Sequence, residues 1–172
     1  MAKQKSVIWE WVETIAIAIV LALVIRTFLI QPFYIPSGSM EPTLGIGDKI
    51  IVNKLSSYFR DPERGQVIVF KYPVDPSQDF VKRVVGLPGE TIEIKDSRVY
   101  INGEVLEEEY LPEGLSYGDF GPVTVPEDAY FMLGDNRDNS QDSRVWGPLP
   151  RKLVTGQAIL IFWPMDRISV IR

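Results

Sequence analysis

The chain contains no histidine and no cysteine. The first absence removes the commonest metal ligand, and the second excludes disulfides and thiolate metal sites. Any covalent catalysis must therefore use a hydroxyl nucleophile, with a lysine or a carboxylate as its base. A basic stripe is missing too: the formal net charge is -5 over 172 residues, whereas a nucleic-acid surface needs clustered Lys and Arg for counterion release. Nucleic acid is not expected as a partner, and neither a metal nor a cofactor is expected. No internal repeat or low-complexity tract occurs, and the length suits one domain with a real core, or one core domain with a smaller insertion.

Much of the apolar content sits in the first thirty-five residues. The uncharged run between Glu13 and Arg26 is about twelve residues, roughly 18 Å of helix, too short for a bilayer core of about 30 Å. Extended from Trp11 to Ile30 it reaches about twenty residues, which fits if Arg26 snorkels toward the far headgroups. Three readings compete: a membrane anchor, a cleavable signal and a buried soluble helix. The run is apolar on every face, against the soluble helix, and bulky residues from Phe28 to Tyr34 stand where a small-x-small cleavage site belongs. The anchor is the reading adopted, with Lys3 and Lys5 placing the N-terminus in the cytoplasm and the rest outside. Gln31-Pro32 ends the helix.

Beyond it the chain reads as mostly strand. Lys49 to Lys54, Gln66 to Tyr72, Asp79 to Val85, Thr91 to Lys95, Arg98 to Asn102, Ala129 to Leu133 and Gln157 to Trp163 are rich in Val, Ile and aromatics and bounded by turn residues. Asn102-Gly103 between two such runs is a hairpin signal, because a type I′ turn needs positive φ at both central residues. Glu107 to Pro126 is acidic, bears proline and glycine, and reads as a surface insertion without strand pattern.

Three stretches carry candidate chemistry. Pro36-Ser37-Gly38-Ser39-Met40-Glu41-Pro42-Thr43-Leu44 follows the apolar segment. Ser-Gly-Ser also suits a flexible joint, but a joint does not need Met40, Pro42, Thr43 and Leu44. If Ser39 is the nucleophile, its own amide and the Ser37 hydroxyl are placed to donate to an oxyanion. In Asp79-Phe80-Val81-Lys82-Arg83-Val84-Val85, strand geometry puts Lys82 on one face with Phe80 and Val84. Apolar neighbours would desolvate the ammonium and lower its pKa, while an edge-strand lysine that discourages aggregation would read the same way. In Gly134-Asp135-Asn136-Arg137-Asp138-Asn139-Ser140-Gln141-Asp142-Ser143-Arg144, the glycine and glutamate that a calcium loop needs at its sixth and twelfth positions do not follow in register. A carboxylate and guanidinium network that stiffens a loop and presents Ser140 is the better account.

Together, in this order after one apolar segment, these stretches resemble type I signal peptidases, membrane serine proteases of the Ser/Lys class. The matching residues run from Pro36 to Leu44, through Gly47-Asp48 and Lys82-Arg83-Val84-Val85-Gly86-Leu87-Pro88-Gly89, to Gly134 through Arg144. The resemblance implies Ser39 as nucleophile, Lys82 as general base, and Ser37 with the Ser39 amide as oxyanion hole. It implies further that Ser140 hydrogen-bonds and orients Lys82, and that Asp135 with Arg83, and Asp142 with Arg144, form supporting ion pairs. The implied fold is mainly β: an antiparallel catalytic core with a small inserted β subdomain, preceded by one N-terminal transmembrane helix, the compact form typical of Gram-positive bacteria.

The expected organisation is a cytoplasmic N-terminus at 1–10, an anchor at 11–30, a catalytic core at 31–90 and 129–172, and an inserted subdomain at 91–128. The expected function is removal of signal peptides with small residues before the cut from secreted preproteins, at the bilayer, without a cofactor. Two alternatives stand beside it: a self-cleaving Ser/Lys regulator, disfavoured by the absence of a helix-turn-helix pattern, and a catalytically idle anchored binding domain.

Overall fold

The computed structural model describes residues 7–24 and 29–172. An N-terminal helix α1 (Val7–Val24) precedes β1 (Ile30–Tyr34), β2 (Lys49–Asn53), a short α2 (Leu55–Phe59), β3 (Val67–Lys71) and β4 (Asp79–Gly86). A hairpin of β5 (Thr91–Lys95) and β6 (Arg98–Ile101) leads to β7 (Glu104–Val105) and β8 (Phe120–Thr124). The chain then returns through β9 (Ala129–Leu133), α3 (Ser143–Trp146), β10 (Leu149–Pro150), the long β11 (Val154–Trp163) and β12 (Ser169–Val170).

All the strand pairs are antiparallel. The larger sheet runs β1-β2-β11-β3-β4-β9-β10 with β12 against β11, and the smaller runs β7-β6-β5-β8. The period of two explains how one strand serves two cores. On β3, Val67 and Val69 enter a cluster with Met40, Leu44, Ile50 and Val52, while Ile68 and Phe70 enter another with Val84, Tyr130 and Met132. A third cluster built on Ile92, Ile94 and Phe131 joins the small sheet to the large one.

The expected β runs are present, with ends moved by up to three residues. The Asn102-Gly103 turn has φ of 52° and 87°, as a type I′ hairpin requires. Four strands lay outside the expected runs, the two-residue β10 and β12 and the longer β1 and β8. β1 lies where the anchor and its exit were expected and pairs with β2 in the register Gln31↔Val52 and Phe33↔Ile50. β8 lies within the supposed featureless insertion and pairs with β5. Both carry proline, Pro32 and Pro122, and both sit at a sheet edge, where a missing N–H is tolerated; the proline is what hid them.

The expected 11–30 span is also redrawn. The described helix covers Val7–Val24, and Ile30 opens a strand. Among the described residues no helix is long and apolar enough to cross a membrane. Lys3, Lys5 and Arg26, on which orientation and snorkelling rested, lie outside the described residues.

Candidate active site

The strand β4, the turn segment that carries Ser39 and a return loop after β9 build the site. On β4, Lys82 pairs with Ile68 of β3, and Phe80 with Phe70, so the lysine stem runs among apolar groups. Lys82 is only 3% exposed, and its ammonium lies 5.5 Å from the Phe80 ring centre. Val84, two residues on, is fully buried. The edge-strand alternative fails here, since β4 lies between β3 and β9 and the lysine faces inward.

Lys82 Nζ lies 2.6 Å from Ser39 Oγ and donates to the Val81 carbonyl at 2.9 Å. Burial pushes the amine down from 10.5 to about 8, and the negative charges of Asp142 and Asp135 oppose that only in part. A cleft of about 400 Å³ opens over the pair, lined by Ser37, Gly38, Phe80, Val81, Asn139 and Gln141 among others. A somewhat larger hollow of about 460 Å³ lies against α2 and includes none of the predicted site residues. Among the described residues, no group of three or more acidic side chains is placed to hold a metal ion.

The stretch carrying Ser39 is held from both sides. Met40 and Leu44 anchor it in the core with no exposure. From the return loop, Asn136 donates its backbone N–H to the Ser39 carbonyl at 3.1 Å and its side-chain amide to the Gly38 carbonyl at 3.0 Å. Asp135 receives two bonds from Arg83, at 2.9 and 2.7 Å, and one from the Thr43 hydroxyl at 2.6 Å. Both members of the Arg83–Asp135 pair are essentially sealed from solvent, so their charges are worth retaining only together. Asp142 caps α3, receives Arg144 at 2.8 and 2.9 Å and accepts the Gly134 amide at 3.1 Å.

Ser37 is exposed at the rim of the cleft. Ser140 departs from expectation: it makes no hydrogen bond to Lys82, and its buried hydroxyl has no partner. The lysine gives its bonds to Ser39 and Val81 instead, while Ser140 packs against Gly134, where a Cβ would collide with the serine hydroxyl. Thr43 and Asn136 were missed as individual supports, though both lie in the stretches already singled out.

A family model described as signal peptidase, peptidase S26, matches residues 8–163. A probable signal peptidase I-2 of Synechocystis is 45% identical over 94% of this chain and 77% of its own length. The signal peptidase I of Leptolyngbya laminosa is 47% identical over 97% of this chain and 85% of its own. A crystal structure of a signal peptidase I from Enterococcus faecalis superposes with a TM-score of 0.51 at 38% identity, covering 57% of this chain and 97% of that one. With the model match spanning most of the chain and both relatives covering more than nine-tenths of it, the chain belongs to the type I signal peptidases of peptidase family S26.

Proposed function

We propose that the chain is a membrane-anchored endopeptidase that cuts signal peptides from secreted preproteins, with Ser39 as nucleophile and Lys82 as general base. The observation that carries this reading is the 2.6 Å contact between Ser39 Oγ and a lysine that is 3% exposed. In water an ammonium holds its proton far above neutrality; here burial brings the amine to about 8. Its lone pair then accepts the Ser39 proton as Oγ attacks the scissile carbonyl. The new C–O bond places charge on the carbonyl oxygen, which faces the Ser39 amide and the Ser37 hydroxyl.

Collapse of this intermediate breaks the C–N bond, and Lys82 returns the proton to the departing amine. Water then attacks the acyl-enzyme, giving its proton to Lys82, and the signal peptide leaves as a carboxylate while Ser39 regains its hydrogen. One amine serves both half-reactions. Lys82 is oriented by its bond to the Val81 carbonyl, whereas Ser140, whose buried hydroxyl has no partner, makes no such bond. Asp135 with Arg83 and Asp142 with Arg144 keep the return loop in place. An extended substrate would lie along the cleft beside β4, with shallow subsites choosing small side chains.

Residues 31–90 and 129–172 form the catalytic core in this reading, and 91–128 an inserted subdomain. The N-terminal segment is the anchor, supported by α1 exposing Ile15, Ile17, Ile19, Val20, Leu21 and Leu23, with the N-terminus cytoplasmic and the catalytic part outside. The test is cleavage of a purified preprotein in detergent, with sequencing of the new N-terminus. Ser39→Ala and Lys82→Ala are expected to leave the protein folded and the substrate uncut; turnover by either variant refutes the pair.

A further inference from the structure

The loop between β7 and β8 reaches back into the catalytic core. Glu108 accepts a bond from Arg137 Nη1 at 3.0 Å and a second from Arg137 Nη2, and the Tyr117 hydroxyl accepts from Nη1 at 2.9 Å. The Arg137 side chain is fully buried and that of Glu108 is 8% exposed. Tyr110 donates its hydroxyl to Glu108 and lays its ring 3.8 Å from the Arg83 guanidinium carbon. Arg137 folds its own Nε back onto the Gly134 carbonyl at 3.0 Å, closing the turn whose Asn136 holds the Gly38 and Ser39 carbonyls.

We propose that Glu108 is a positioning residue for peptide cleavage, acting through Arg137 on the 134–137 turn and thereby on the Ser39 backbone. It touches neither Ser39 nor Lys82. The guanidinium that closes the turn has no exposure, so a buried cation without its carboxylate must move toward water. That movement releases the Gly134 carbonyl and loosens the Asn136 bonds. The alcohol and amine must stay within hydrogen-bond reach, so a shift well under 1 Å slows the chemical step, while the β4 side of the cleft, with Phe80 and Val81, keeps its place for the substrate. The inference rests on the Ser39–Lys82 reading above.

The test compares full-length wild type, Glu108→Gln, Glu108→Asp and Ser39→Ala in detergent on one preprotein, well below each melting temperature. Glu108→Gln is expected to lower kcat by roughly 10–100-fold with KM unchanged, and Glu108→Asp to recover part of the loss. Wild-type kcat in a folded Glu108→Gln overturns the proposal, as does a loss that tracks the unfolded fraction or a rise in KM alone. If Glu108→Gln does not fold, Tyr117→Phe removes one Arg137 acceptor and leaves the carboxylate; it is expected to lower kcat alone, and unchanged kcat overturns the proposal. Ser39→Ala separates the two readings: inactive Ser39→Ala beside fully active Glu108→Gln sinks only the role of Glu108, whereas an active Ser39→Ala sinks the dyad.

Discussion

Lys82 Nζ stands 2.6 Å from Ser39 Oγ although the two residues are 43 positions apart in the chain. The contact is made where the Pro36–Leu44 segment, pinned by Met40 and Leu44, crosses the buried face of β4. Its chemical value depends on dryness: an exposed lysine at the same distance would hold its proton at neutral pH.

The rate of preprotein cleavage should therefore follow the neutral fraction of Lys82. Since burial lowers that amine to about 8, kcat/KM is expected to rise with pH through that region and to fall about tenfold per unit well below it. A profile measured from acid to alkaline pH that stays flat between 6 and 8 removes Lys82 as the base.

The same burial costs stability. In the unfolded chain Lys82 titrates at 10.5 and in the folded one at about 8. Between these values the unfolded state holds more protons, so stability rises with pH, and below the lower value the full penalty remains, on the order of 3 kcal/mol. Lys82→Met should thus be inactive yet melt above wild type near neutrality, the gap closing toward pH 10.5. Thermal melts across that range check the sign.

Asp135→Ala would leave the sealed Arg83 guanidinium unpaired and the Thr43 hydroxyl without its acceptor. A loss of about 3–5 kcal/mol in urea unfolding is expected. Breaking the half-exposed Lys71–Asp79 pair by Asp79→Ala should cost less than about 1 kcal/mol. Equal losses would mean that burial is not what makes the first pair matter.

A methyl group at Gly134 would meet the Ser140 side chain and the Ser39 carbonyl. Gly134→Ala is expected to cost about 1–3 kcal/mol and to lower kcat by displacing the Ser39 backbone. Gly118→Ala, with open space around it, should change neither. Melting temperatures and turnover of both variants decide the matter.

Composition and short-range pattern determined a good deal by themselves. Without histidine or cysteine, a hydroxyl with a lysine or carboxylate was the covalent chemistry left open, and the period of two put Phe80 and Val84 on the face of Lys82. Asn102-Gly103 announced its hairpin because Asn and Gly readily take the positive φ that a type I′ turn needs at both central positions. Such features are legible because their causes lie within a few positions of one another.

What only the tertiary structure decided are relations across long separations. β1 and β8 exist because a neighbouring strand offers a ladder, which outweighs Pro32 and Pro122 at the sheet edges. Asp135 meets Thr43 across 92 positions, and Glu108 meets Arg137 across 29; no local period records either meeting. Ser140, legible as a presented serine, lies beside Gly134 with its hydroxyl unspent. Periodicity tells a side chain which face to take, but its partner is set by how the sheets close around the core.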